Sequence, residues 1–144
     1  VGEFSRVIVL VDGSEGSIRA SQFAARLHQA LAVPLTLAHV VPMTPESVMG
    51  LSNLEKSQVE EIQRRRAESV LSSVREALGE AGKDAEDAVL HGDPAEELLH
   101  YVNANPNALV VMGRRGLSPV KSLLLGSVSD KVLRGARVTV SLVN

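Results

Sequence analysis

Four short runs rich in Val, Leu and Ile and a weaker one, Ala85–Leu90, recur along the chain, each separated from the next by a segment with helical spacing. This alternation constrains the fold more than any other feature of the sequence. The runs are Arg6–Val11, Leu35–Val41, Ala85–Leu90, Ala108–Met112 and Val138–Val143. The first reads Arg-Val-Ile-Val-Leu-Val, continuous and β-branched, as a strand buried on both faces requires. No Asn-Gly or similar two-residue turn joins two alternating runs, so hairpins are not expected. The pattern therefore predicts a parallel sheet with right-handed crossovers and helices on both faces. With 144 residues and no internal repeat, low-complexity tract or long linker, residues 1–144 form a single domain. The expected fold class is α/β, a single-domain three-layer sandwich around a five-stranded parallel sheet.

The segments between the runs carry start and stop signals. Asp12-Gly13-Ser14-Glu15-Gly16-Ser17 is a turn cluster with several N-cap candidates, so a helix over Ser17–Leu31 should follow. It sets Ile18, Phe23, Leu27 and Leu31 near one face, and Ala24 and Ala25 allow close approach to the sheet. Pro42, Pro45 and Gly50 predict a mobile segment as far as Asn53. Ser52 or Asn53 then caps a long helix, Leu54–Ala81, with Val59, Ile62, Val70, Val74 and Leu78 at helical spacing. Arg64, Arg65 and Arg66 on that helix read as a solvated face. Asp93-Pro94 opens another helix with a cap and a first-turn proline. A last helix is expected at Ser127–Arg134.

Composition removes several classes of function. The chain is 44% hydrophobic but only 2% aromatic, so its core is built from Val, Leu, Ile and Ala. A net charge of −2 gives no electrostatic case for nucleic acid or an anionic membrane. There is no cysteine, which excludes disulfides, thiol catalysis and thiolate metal sites. No apolar run is long enough to span a bilayer and no signal peptide is visible, so the expected location is cytoplasmic. No histidine pair has metal-ligand spacing, and His39 reads as a packed strand-end residue.

Chemistry concentrates after the fourth run. Met112-Gly113-Arg114-Arg115-Gly116 is followed, after nine intervening residues, by Gly126-Ser127-Val128-Ser129. Glycines without a Cβ let the backbone approach a ligand closely. Gly126-Ser127 stands where a helix begins, so free amides and the positive end of the helix dipole converge there. This is a cradle for a phosphate chain. The usual fingerprints are missing: there is no G-x-x-x-x-G-K-[ST], and no G-x-G-x-x-G follows the first strand. In open parallel sheets, ligands sit beyond the carboxyl ends of the strands. If the first and fourth strands are neighbours, Asp12-Gly13-Ser14 and the glycine loop line one crevice.

These residues resemble the universal stress protein family, in its ATP-binding form. Gly113, Gly116, Gly126 and Ser127 match that family's G-x2-G-x9-G-[ST] motif. Val11-Asp12-Gly13-Ser14 stands where the family places an Asp, His39-Val40 is similar to its His-Val, and Gly92-Asp93-Pro94 to its Gly-x-Pro. The likeness covers residues 5–143. The chain departs from the family where prolines are often found, reading Val9-Leu10-Val11 and Ala136-Arg137-Val138.

The resemblance implies an adenine-nucleotide alpha-hydrolase-like sandwich that binds ATP. Asp12 would accept hydrogen bonds from the ribose hydroxyls, and Val11 and Val40 would border the adenine, with the backbone of Val40 reading its edge. Met112, Gly113, Arg115 and Gly116 would line the ribose and phosphates. Gly126, Ser127, Val128 and Ser129 would hold the phosphates through amides and hydroxyls. Arg114 or Arg115 would add positive charge. A Mg2+ ion bridging the phosphates fits this reading, although the sequence offers few ligands for it. The resemblance further implies a homodimer joined through Val138–Val143, a bare apolar edge of the kind that invites pairing. The expected function is a nucleotide-dependent stress-response switch with no catalytic residue and at most slow hydrolysis. The alternatives are a slow ATPase or autophosphorylating protein, a nucleotide-free adaptor dimer, and the same fold with AMP or cyclic AMP as ligand.

Overall fold

Successive residues of a strand point to opposite faces of its sheet, and here both faces find apolar partners. The computed structural model describes residues 3–42, 50, 52–114 and 125–144. Along these, β1 (Arg6–Leu10), α1 (Glu15–Leu31), β2 (Leu35–Val41), α2 (Asn53–Leu78), a 3-10 turn (Gly79–Gly82), β3 (Glu86–His91), α3 (Pro94–Asn103), β4 (Ala108–Gly113), α4 (Ser127–Gly135) and β5 (Thr139–Val143) follow one another. The sheet order is β3-β2-β1-β4-β5, and every pairing is parallel. The expected α/β three-layer sandwich with five parallel strands is what forms.

Two cores result, one on each face. Val7, Val9 and Val11 join Leu35, Leu37 and Val111 beneath α1 and α2. Ile8, Leu10, Ala38, Val40, Val110 and Met112 meet Leu98, Val102 and Val132 of α3 and α4 on the other side. All seven residues of β2 are buried, Thr36 and His39 among them, which is why this strand does not alternate apolar with exposed polar positions.

The helices differ from expectation in which faces they bury. The buried face of α1 is Ser17, Ala20, Ser21, Ala24 and Ala25. Leu31, expected on that face, is 42% exposed. Small side chains let the helix backbone lie close to the sheet, and Ile18, Phe23 and Leu27 then pack around the margin of the core. On α2 the buried residues are Ala67, Leu71, Val74 and Leu78. Ile62 is 59% exposed, because the first half of this helix lies outside the region the sheet covers. Ser52 is the cap: its hydroxyl accepts from Glu55 N–H at 3.1 Å, and Glu55 returns the bond to Ser52 N–H at 2.7 Å. The arginine triplet is solvated as expected. Arg64 and Arg65 donate to Glu61, and these bonds hold its carboxyl down to about 2.

Candidate functional site

In this strand order the chain grows outward from β1 through β2 to β3, then returns to β1's other side with β4. The direction of winding reverses between β1 and β4, where a parallel sheet leaves a crevice at its carboxyl end. Val9 is in register with Val111. The exit of β1 at Val11-Asp12 therefore stands beside the exit of β4 at Met112-Gly113, and the neighbour relation that the sequence left conditional is met.

On the β1 side, Gly13 takes φ +86 and turns the chain into α1. Asp12 is half-buried in that turn. Its Oδ1 accepts from Ser14 N–H at 2.9 Å and from the Ser14 hydroxyl at 2.5 Å. The Ser14 oxygen in turn accepts from Ser17 N–H at 3.1 Å, which caps α1. His39 is buried on the neighbouring strand, and its Nδ1–H donates to Val11 O at 2.8 Å. A carbonyl can only accept, so this bond selects the Nδ1–H tautomer.

On the β4 side, the first turn of α4 is tied to the strand end. The Ser129 hydroxyl, buried, donates to Gly113 O at 2.9 Å. Gly126 N–H donates to Arg114 O at 2.9 Å, and Arg114 N–H donates to Val143 O at 3.0 Å. Among the described residues no side chain caps α4, and Asp130 N–H is bonded to Gly126 O. Helix geometry leaves the N–H groups of Ser127, Val128 and Ser129 without intrahelical acceptors. Three amides thus converge at a positive helix end, held at the mouth of the crevice by the Ser129 bond.

Several expected roles change once side-chain directions are known. Val11 faces the α1 and α2 core, whereas Val40 faces the opposite one. Their side chains do not meet in one apolar slot, because the two positions fall on opposite faces of the pleat; what the two positions share is strand-end main chain. Met112 is fully packed against α4 and leaves only its backbone at the site. The Ser129 hydroxyl and the Gly126 amide are spent on the loop's own base, so the amides of residues 127–129 carry the anion-binding potential. Ser127 is exposed and Val128 half-buried. Arg115 and Gly116 lie outside the described residues, as do positions 43–49 and 51 of the segment expected to be mobile. Sequence reasoning placed Ser14 in the Asp12-Gly13-Ser14 loop along the crevice but gave its side chain no role; the Asp-x-Ser spacing, which favours side-chain bonding two residues on, was the available clue.

A separate groove of about 510 Å3 lies between α2 and β3, lined among others by Val41, Ala67, Leu71, Val89 and His91. It includes none of the candidate residues. Two of the carboxylates along it are paired, Glu68 with Arg64 and Asp87 with Arg75. Among the described residues no group of three or more His, Asp or Glu could hold a metal ion, and no helix is long and apolar enough to cross a membrane.

The fold is a parallel α/β domain whose winding reverses between β1 and β4. The profile of the universal stress protein family matches residues 3–144, and the chain belongs to that family. A universal stress protein from Thermus aquaticus is 36% identical over 141 residues, covering 97% of this chain and 98% of its own. Among solved structures, UspA from Lactobacillus plantarum superimposes with a TM-score of 0.81 at 18% identity, covering 99% of both chains. A universal stress protein solved in complex with cAMP gives 0.74 at 24% identity, covering 99% and 98%. One from Archaeoglobus fulgidus in complex with dAMP gives 0.68 at 18%, covering 99% of both.

Proposed function

We propose that this protein binds ATP in the crevice between Asp12 and the start of α4, and acts as a nucleotide-dependent stress-response switch with at most slow hydrolysis. One observation carries the reading. An acceptor carboxylate and three uncapped helix amides stand at the adjoining exits of β1 and β4, one suited to a sugar and the other to phosphates. Related proteins with this fold hold cAMP and dAMP, which supports an adenine nucleotide. The glycine-loop spacing favours the longer phosphate chain. Val11 and Val40 would border the base through strand-end backbone, while Met112, Gly113, Arg115 and Gly116 line the ribose and phosphates. A Mg2+ ion would be held mainly by the phosphates themselves. Binding would favour one arrangement of the Gly113–Ser129 loop through differential affinity, which is how a ligand shifts a switch.

Protein purified without added nucleotide and then denatured is expected to release ATP at close to one per chain, as read by mass-resolved chromatography. Stripped protein should rebind ATP more tightly than AMP or cyclic AMP. Folded protein that takes up no ATP at millimolar concentration defeats the proposal in favour of an adaptor role.

The same reading includes a homodimer through β5. This strand ends the sheet, and among the described residues only β4 pairs with it. Leu142 on it is 38% exposed. Sedimentation equilibrium should give a dimer, and Leu142→Asp should shift it toward monomer without altering the circular dichroism. A monomeric wild type removes this part of the proposal.

A further inference from the structure

We propose that Ser14 is a positioning residue for the sugar contact. It holds Asp12 Oδ1 inside the β1–α1 turn, so that Oδ2 alone meets a ribose hydroxyl; the inference rests on the nucleotide reading above. A carboxylate oxygen has two lone pairs. Both of those on Oδ1 are taken, one by Ser14 N–H at 2.9 Å and one by the Ser14 hydroxyl at 2.5 Å. The ring closes around them. Ser17 N–H donates to Ser14 Oγ at 3.1 Å, the Ser17 hydroxyl donates to Ser14 O at 3.0 Å, and Asp12 N–H donates to Ser17 Oγ at 3.3 Å. Each hydroxyl hydrogen in this ring is committed, and both serines are buried. Turning the carboxylate would leave buried donors unpaired, which costs more than the bonds are worth when made.

The consequence is chemical. A vicinal diol presents two donors, and a carboxylate with both oxygens free takes one on each. A carboxylate with one free oxygen must take both on that oxygen, whose two lone pairs diverge while the diol's hydroxyls lie side by side, so only one bond keeps good alignment. The site therefore reads a single ribose hydroxyl and is largely indifferent to the other. Of 2′-deoxy-ATP and 3′-deoxy-ATP, one should bind almost as ATP does, and the other about tenfold or more weakly, as loss of a hydrogen bond to a charged acceptor implies.

The test titrates ATP, both deoxy analogues and inorganic tripolyphosphate into wild type and into Ser14→Gly, Ser14→Ala and Ser14→Thr. Glycine is nearly as good a helix cap as serine, and Ser14 has φ −73, so the glycine variant keeps the fold even if alanine does not. In the glycine and alanine variants the two analogues should converge to within about twofold, since Oδ1 keeps only the backbone bond from residue 14, regains one lone pair and is no longer held by the hydroxyl. Threonine, which keeps the hydroxyl, should restore the wild-type asymmetry. Tripolyphosphate affinity should be the same in all four proteins. Equal binding of the two analogues by wild type overturns the inference, and so does an unchanged asymmetry in the glycine variant. A parallel loss of tripolyphosphate binding also overturns it, by showing that Ser14 acts through the whole turn. A wild type that binds no ATP overturns the nucleotide reading itself, and this inference falls with it.

Discussion

Asp12→Ala is expected to weaken ATP binding by roughly tenfold to a hundredfold, the range for losing hydrogen bonds to a charged acceptor. The loss should appear with ATP and not with inorganic tripolyphosphate, because the α4 amides are untouched by the change. Stability should fall by only about 1–2 kcal/mol, since two hydrogen bonds on Oδ1 disappear. Ser14 still caps α1 through Ser17 N–H, and the left-handed turn is made by Gly13. Isothermal titration together with urea denaturation separates the two effects. Unchanged ATP affinity in the alanine variant would remove Asp12 from the site, leaving the phosphate cradle to stand alone.

Leu37→Ala should show the opposite signature, with a loss of about 2–5 kcal/mol of stability. Leu37 is wholly buried at the centre of β2, against the α1 and α2 core. Removing its branched end opens a cavity between a sheet and helices that rigid neighbours cannot fill. Val9 beside it in register on β1 and Val74 on α2 are likewise fully buried. ATP affinity of the folded fraction should stay within about twofold, because the residue lies on the layer away from α4. Leu31→Ala serves as the control: its side chain is 42% exposed, and the cost should be within about 0.5 kcal/mol. A Leu37 variant as stable as wild type would mean that the core around β2 is looser than described.

The two predictions separate the fold from the site, which share strands but not side chains. Asp12 lies past the end of β1, where the chain leaves the sheet, and its carboxylate is served by α1's cap residue. The residues that stabilise β1 alternate between two cores, Val7 and Val9 in one and Ile8 and Leu10 in the other. Changing the site therefore costs little stability, and changing the core costs little affinity.

The alternation of β-branched runs and helical segments determined the α/β class, the element order and the parallel sheet, because backbone pairing and two-sided burial leave few other arrangements for such a pattern. Local chemistry also determined the cap at Asp93 and narrowed that of α2 to Ser52 or Asn53, of which Ser52 is the one that bonds an amide three residues on. The candidate phosphate-loop residues rest on glycine spacing and the resemblance it carries. What the sequence could not supply was direction. Whether Leu31 and Ile62 were buried depended on where each helix lies over the sheet. That Val11 and Val40 face opposite layers depended on strand register, in which a single residue reverses every side chain. The Ser14 bond to Asp12 spans only two residues and had a local clue in the Asp-x-Ser spacing, but that the Ser129 hydroxyl clasps Gly113 depended on where the fold sets the start of α4 against the end of β4. Tertiary structure alone decides such matters, because a short polar side chain takes the acceptor that the surrounding fold brings within reach.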